Sequence, residues 1–155
     1  MVKQQMSHAN SSQFVQSLAE EFFRRYDCLV SQDKSDGELW IECRSAAPAR
    51  FRSPLTFGIT PDSVTVAFDG LTHPFVISQG VRDAETVRRQ ALGLFDDLIT
   101  ERQVSISFWR GDECIAVEFI RHEQIQARRG VWSGSSVSRV LVRSWLGRYD
   151  HDFAA

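Results

Sequence analysis

Asp150, His151 and Asp152 stand side by side near the end of a 155-residue chain, and they are its best candidates for acid–base or metal chemistry. In an extended segment the two aspartates project to one side and the histidine to the other. Paired carboxylates of that kind suit a divalent cation, and with His122 and Glu123 folded nearby the group would suit proton transfer. The plainer reading is a solvated tail whose acids pair with Arg143 and Arg148. No phosphate-cradling glycine loop, nucleophile elbow, His-x-x-x-His or Cys-x-x-Cys pair accompanies the cluster. His8, His73, His122 and His151 fall in four different segments. The reading therefore assigns no catalytic residue, no metal and no cofactor. A small enzyme or metal-dependent ligand binder using Asp150, His151 and Asp152 is the alternative.

A second group is rich in arginine and tryptophan. The stretch RHEQIQARRGVWSGSSVS, residues 121–138, carries Arg128, Arg129 and Trp132 ahead of a Gly/Ser-rich run. A strand-to-strand connection of this length points to a functional loop unless it is an insertion with a short helix at HEQIQARR. Arg with Trp is the composition of interface hot spots, and it also suits stacking on single-stranded RNA. In the final strand, SRVLVRSWL, the alternation puts Val140, Val142 and Leu146 on one face and Arg139, Leu141, Arg143 and Trp145 on the other. Trp40 and Trp109 would share that second face. Tryptophans rimmed by charge mark a contact surface; the other outcome is a second small core beneath the YDHDF segment or the 121–138 loop. The residues assigned to partner binding are Trp40, Trp109, Arg128, Arg129, Trp132, Arg143, Trp145, Arg148 and Tyr149.

The elements that must position these groups are legible from periodicity. Residues 1–10 read as a flexible lead-in, and 11–155 as one α+β domain. Asn10 offers a helix N-cap with Gln13 three residues on. Phe14, Leu18 and Phe22 recur at four-residue spacing, so a helix should run to about residue 30. SQDKSDG reads as a turn. Leu39, Ile41 and Cys43 alternate in a strand, and LTFGIT and SVTVAFDG form a hairpin about Pro61-Asp62. LTHPFVISQGV reads as irregular. Asp83 caps a second helix carrying Val87, Ala91, Leu94, Phe95 and Leu98. Gly93 interrupts it, for which close approach to a sheet would be a reason. QVSISFWR and ECIAVEFI form a second hairpin about Gly111-Asp112. The expected fold is an antiparallel sheet of five to six strands with two helices packed on one face.

Composition bounds the function classes. At 43% hydrophobic residues the chain has enough apolar surface for a core. A net charge of −2 argues against wholesale attraction to nucleic acid or an anionic membrane. Residues 121–155 are locally positive, with 6 basic against 3 acidic side chains. Cys28, Cys43 and Cys114 are odd in number, far apart and in apolar surroundings, which fits buried free thiols in a cytoplasmic protein. No run of about 18 apolar residues is present to span a membrane.

The closing RSWLGRYDHD, taken with the helix-and-sheet pattern, resembles the small cytosolic immunity proteins of bacterial toxin–immunity systems. Ser144, Trp145, Gly147 and Asp150 carry that resemblance. It implies a non-catalytic protein that binds and neutralises a cognate toxin by covering its active site or an essential surface. The locally basic tail argues against a basic nuclease as that toxin.

Overall fold

The computed structural model describes residues 8–26, 29–35, 37–45, 47–78, 80–131 and 136–154. Cys28 and Trp132 lie outside the described residues. The chain divides into two compact units. The first takes Met1–Arg44, Pro54–Ala67 and Thr72–Gly93; the second takes Ser45–Ser53, Phe68–Leu71 and Leu94–Ala155.

In the first unit, helix α1 (His8–Arg25) buries Phe14, Leu18 and Phe22, the stripe its four-residue spacing predicts. It packs on strands β2 (Glu38–Cys43) and β3 (Thr56–Ile59), with Phe22 stacked on Phe57 at 4.5 Å. Those strands lie in a five-stranded antiparallel meander with β1 (Leu29–Ser35), β4 (Ser63–Phe68) and β5 (Leu71–Val76), in the order β1-β2-β3-β4-β5. Register places Leu39, Ile59 and Val64 in one row and Ile41, Phe57 and Val66 in the next, all fully or nearly buried. The opposite face carries Trp40, Gly58 and Thr65 in a third row. Helix α2 (Ala84–Ile99) starts where Asp83 Oδ1 accepts the Thr86 N–H at 2.7 Å, the expected cap. Arg88 on α2 joins α1 by donating to Glu21 and to the Ser17 hydroxyl.

The second unit holds a four-stranded antiparallel sheet of order β7-β6-β8-β9, from β6 (Gln103–Arg110), β7 (Glu113–Arg121), β8 (Arg139–Arg143) and β9 (His151–Ala154). After the β6–β7 hairpin the chain passes through a 3-10 turn at His122–Gln124 and helix α3 (Ile125–Val131) to reach β8 on the far side of β6. One sheet face is hydrocarbon: Val104, Ile106, Phe108, Ile120, Val140 and Val142, with Val137 from the crossover. Ile125, Tyr149 and Phe153 pack against it.

Several expectations are corrected. The α+β class and antiparallel pairing stand, but the described strands form two sheets, not one of five to six strands, and a third helix is present. The strands missing from the sequence reading, β1, β5 and β9, are all edge strands. An edge strand is paired on one side only, so it tolerates the polar run of SQDKS and Pro74 without apolar alternation. Helix α1 begins at His8, which places Asn10 inside it and not at its cap, and it ends at Arg25 because Leu29 onward pairs with β2. Gly93 is exposed, and a Cβ there would meet nothing within 4 Å, so no close approach explains it.

Gly58 has the opposite environment, because a Cβ there would overlap the Trp40 indole lying across it. Gly58→Ala should cost about 1–3 kcal/mol by overpacking, read as a lower urea midpoint. Gly93→Ala should add about 0.5–1 kcal/mol of stability through helix propensity, read as a higher midpoint. A tolerated alanine at position 58 would mean that the indole does not lie there.

Candidate functional site

The second unit's sheet treats its two faces differently. Val104, Ile106 and Phe108 turn to the hydrocarbon side, so Ser105, Ser107 and Trp109 turn to the other. Opposite them on β8 stand Arg143, Leu141 and Arg139, in register. Ser105 and Ser107 are 0% and 1% exposed, and small hydroxyls at the centre of the face leave depth for a buried charge above them. Asp69 supplies it. It sits in a turn with Gly70 in which both residues have positive φ, 49° and 86°. Its carboxylate accepts from the Ser105 hydroxyl at 2.8 Å, from the Arg52 backbone N–H at 2.9 Å and from the Arg52 guanidinium at 3.3 Å. A buried carboxylate with this many donors is a satisfied one.

Arg52 carries the layer outward. Its guanidinium lies 5.5 Å from the Trp109 ring and donates to Cys114 Sγ at 2.9 Å. Arg139 stands 5.1 Å from the same ring, and the Trp109 indole N–H donates to Ser107 at 2.9 Å. Trp109 is half-buried, in contact with two cations and anchored through its nitrogen. Arg139 Nε is shielded from solvent and has no hydrogen-bond partner among the described residues. This face can hold a planar apolar or carboxylate-bearing group of a partner.

The carboxyl-terminal run is a clasp. Strand β8 stops at Arg143, so the alternation expected through Leu146 ends there; Trp145 is buried and Leu146 is 66% exposed. Trp145 stacks on Phe51 at 5.9 Å and meets Phe68 edge-on at 6.3 Å. The turn that follows is fastened from several sides. Glu101, 1% exposed, accepts the N–H groups of Leu146 at 2.9 Å and Arg148 at 3.2 Å through Oε1, and its Oε2 lies 3.4 Å from the Arg148 guanidinium. Arg50 donates to the carbonyls of Ser144 and Trp145. Asp150 accepts the Ser144 N–H at 2.8 Å and pairs with Arg50 at 3.4 Å, and the Ser144 hydroxyl accepts the Tyr149 N–H. Gly147 has φ 83°, and any side chain there would overlap the Arg50 guanidinium.

The residues singled out by sequence therefore separate. Trp40 lies in the first unit over Gly58. Trp109 and Arg143 share the polar face of the second unit's sheet. Arg128 and Arg129 lie over its hydrocarbon face, where Arg128 forks onto Glu118 and Arg129 stacks 4.1 Å above Phe153. Trp145 is part of a buried aromatic stack, and Arg148 and Tyr149 belong to the clasp. Asp150 is engaged by Ser144 and Arg50, while His151 and Asp152 point to opposite faces of β9 and are exposed. His122 stacks on Tyr149 at 4.5 Å. Among the described residues no three His, Cys, Asp or Glu side chains are grouped to hold a metal ion. The sequence reading missed Arg50, Arg52, Asp69 and Glu101. Asp69-Gly70 was a turn signal, and ARFR set arginines around an aromatic, but neither announced its distant partners.

Fold and face together define an α+β protein with a tryptophan-and-arginine layer on one sheet. No family model, curated protein or solved structure matches the chain.

Removing the Glu101 carboxylate would strand two backbone donors, so Glu101→Ala should cost about 2–4 kcal/mol in urea unfolding. A loss below about 0.5 kcal/mol would mean that the clasp is not held from Glu101. The Glu118 carboxyl is held below the usual carboxylate range, chiefly by its hydrogen bond from Arg128. A depressed folded-state value gives stability that is present above the unfolded carboxylate value and lost as pH falls through the folded one. Arg128→Ala should therefore destabilise more at neutral pH than near pH 3, which thermal melts across that range will show.

Proposed function

We propose that this chain is a non-catalytic protein-binding domain, in its sharpest form a cytoplasmic bacterial immunity protein that binds and neutralises a cognate toxin. The observation that carries the reading is the Arg52–Trp109–Arg139 layer. A half-buried indole with two guanidiniums within 5.5 Å of its ring and its N–H bonded to Ser107 is held in one orientation before any partner arrives, so little side-chain entropy remains to be lost on contact. Arg139 has no carboxylate partner among the described residues, and Arg143 extends the positive face, which suits a partner presenting carboxylates. The engagement of Asp150 in the clasp and the divergence of His151 from Asp152 weigh against the enzyme or metal-binding alternative. The toxin identity rests on the resemblance of Ser144, Trp145, Gly147 and Asp150 to the immunity-protein ending. No helix among the described residues is long and apolar enough to cross a membrane.

The test is affinity capture from the native host with the wild-type chain, then calorimetry on the retained protein with Trp109→Ala and Arg139→Glu. Each variant should lose more than about 2 kcal/mol of binding energy while keeping its melting temperature. A captured toxin should arrest growth when expressed alone and not when expressed with this chain. Unchanged affinity in both variants would remove this face as the contact surface.

A further inference from the structure

We infer that a second copy of this chain docks along β7, antiparallel to it, so that two four-stranded sheets join into one eight-stranded sheet. This goes beyond the partner-binding face and does not depend on it. Strand β7 is an edge: β6 pairs with it on one side, and no described strand pairs with it on the other. It is nine residues long, without proline, glycine or lysine, the usual means of blunting an edge. Its side chains are exposed or half-exposed except Ile120, whereas those of neighbouring β6 are buried from Val104 to Phe108.

Charge selects the occupant and its register. One end of the edge is acidic, with Asp112 and Glu113, and the other is basic at Arg121; all three are exposed. A two-fold axis through Val117 pairs the strand with itself and brings each acidic end beside the other copy's Arg121. The β6–β7 register shifts between Phe108 and Trp109, leaving Ile115 as an extra residue on β7, so Arg121 would lie beside Asp112 and Glu113 together. Centring on Glu118 would oppose two carboxylates, and centring on Ala116 would carry Arg121 past the end of its partner strand. Glu118, the one charge in mid-strand, is already neutralised by Arg128. Nearby charges are also engaged: Arg110 bonds Ser136, and Glu123 lies 3.5 Å from His122.

The test is analytical ultracentrifugation of the full chain up to about 0.1 mM. The wild type should dimerise, and Arg121→Glu and the double variant Asp112→Arg/Glu113→Arg should each weaken the dimer on the order of tenfold or more. An equimolar mixture of the two variants restores opposite charge at both ends, so it should dimerise like the wild type. Melting temperatures of the separate variants confirm that they fold, and Arg121→Gln supplies a milder second substitution. A monomeric wild type, variants that dimerise unchanged, or a mixture that stays monomeric would each overturn the inference.

Discussion

A carboxylate drawn out of water needs donors, and the second unit is organised around one that finds them far along the chain. Glu101 follows α2 and precedes β6, yet the N–H groups it accepts belong to Leu146 and Arg148. Its backbone takes a left-handed φ of 60°, a conformation that costs a non-glycine residue about 1 kcal/mol. Two charge-assisted hydrogen bonds in a dry site outweigh that cost. With the turn closed at Glu101 and Arg50, β9 returns along β8 in one register, and Phe153 arrives opposite Val140 at the hydrocarbon face. Without that closure the four-residue β9 would have little to fix its pairing.

The same sheet shows two ways of covering a surface. On one side aliphatic side chains meet a short helix and a crossover, and area removed from water is the stabilising quantity. On the other, buried serines admit Asp69, and Asp69 admits Arg52. That polar layer is stable only because its donors and acceptors are matched. It also has a consequence the hydrocarbon side lacks. It holds Trp109 at its margin, half-covered and in one orientation, where a flexible aromatic would otherwise have collapsed inward.

The elements legible in the sequence are those whose form follows from their own burial. The stripe of Phe14, Leu18 and Phe22, the hairpin from Thr56 to Phe68 and the Asp83 cap each depend on neighbours a few residues away, and periodicity finds them. The edge strands β1, β5 and β9 owe their form to backbone pairing, which leaves no mark on side-chain type. The candidate site was legible in Trp109 and Arg143, through strand alternation. It was not legible in Arg52, Asp69 or Glu101, whose roles are set by contacts many residues distant. Trp145 was misplaced because alternation was carried past Arg143, where the strand ends and the clasp begins.

The terminal run looked chemical because a turn without periodic structure and a reactive site draw on the same residue types. Acids accept N–H groups, arginine reaches carbonyls, and glycine allows the backbone to reverse. What separates the two is whether polar capacity is already used within the fold. Asp150 gives one oxygen to the Ser144 N–H and the other to Arg50, and Glu101 Oε1 serves two amides. Glu101 Oε2 keeps only its contact with the Arg148 guanidinium at 3.4 Å. Arg139 differs: its Nε is shielded and its guanidinium rests on an indole, with no carboxylate partner among the described residues. Shielded atoms without a hydrogen-bond partner among the described residues occur in both places, at Arg139 Nε beside Trp109 and at Arg50 Nε and Glu101 Oε2 in the clasp. What sets the clasp apart is that its acceptors are spent on its own backbone N–H groups, not that every polar atom in it is paired.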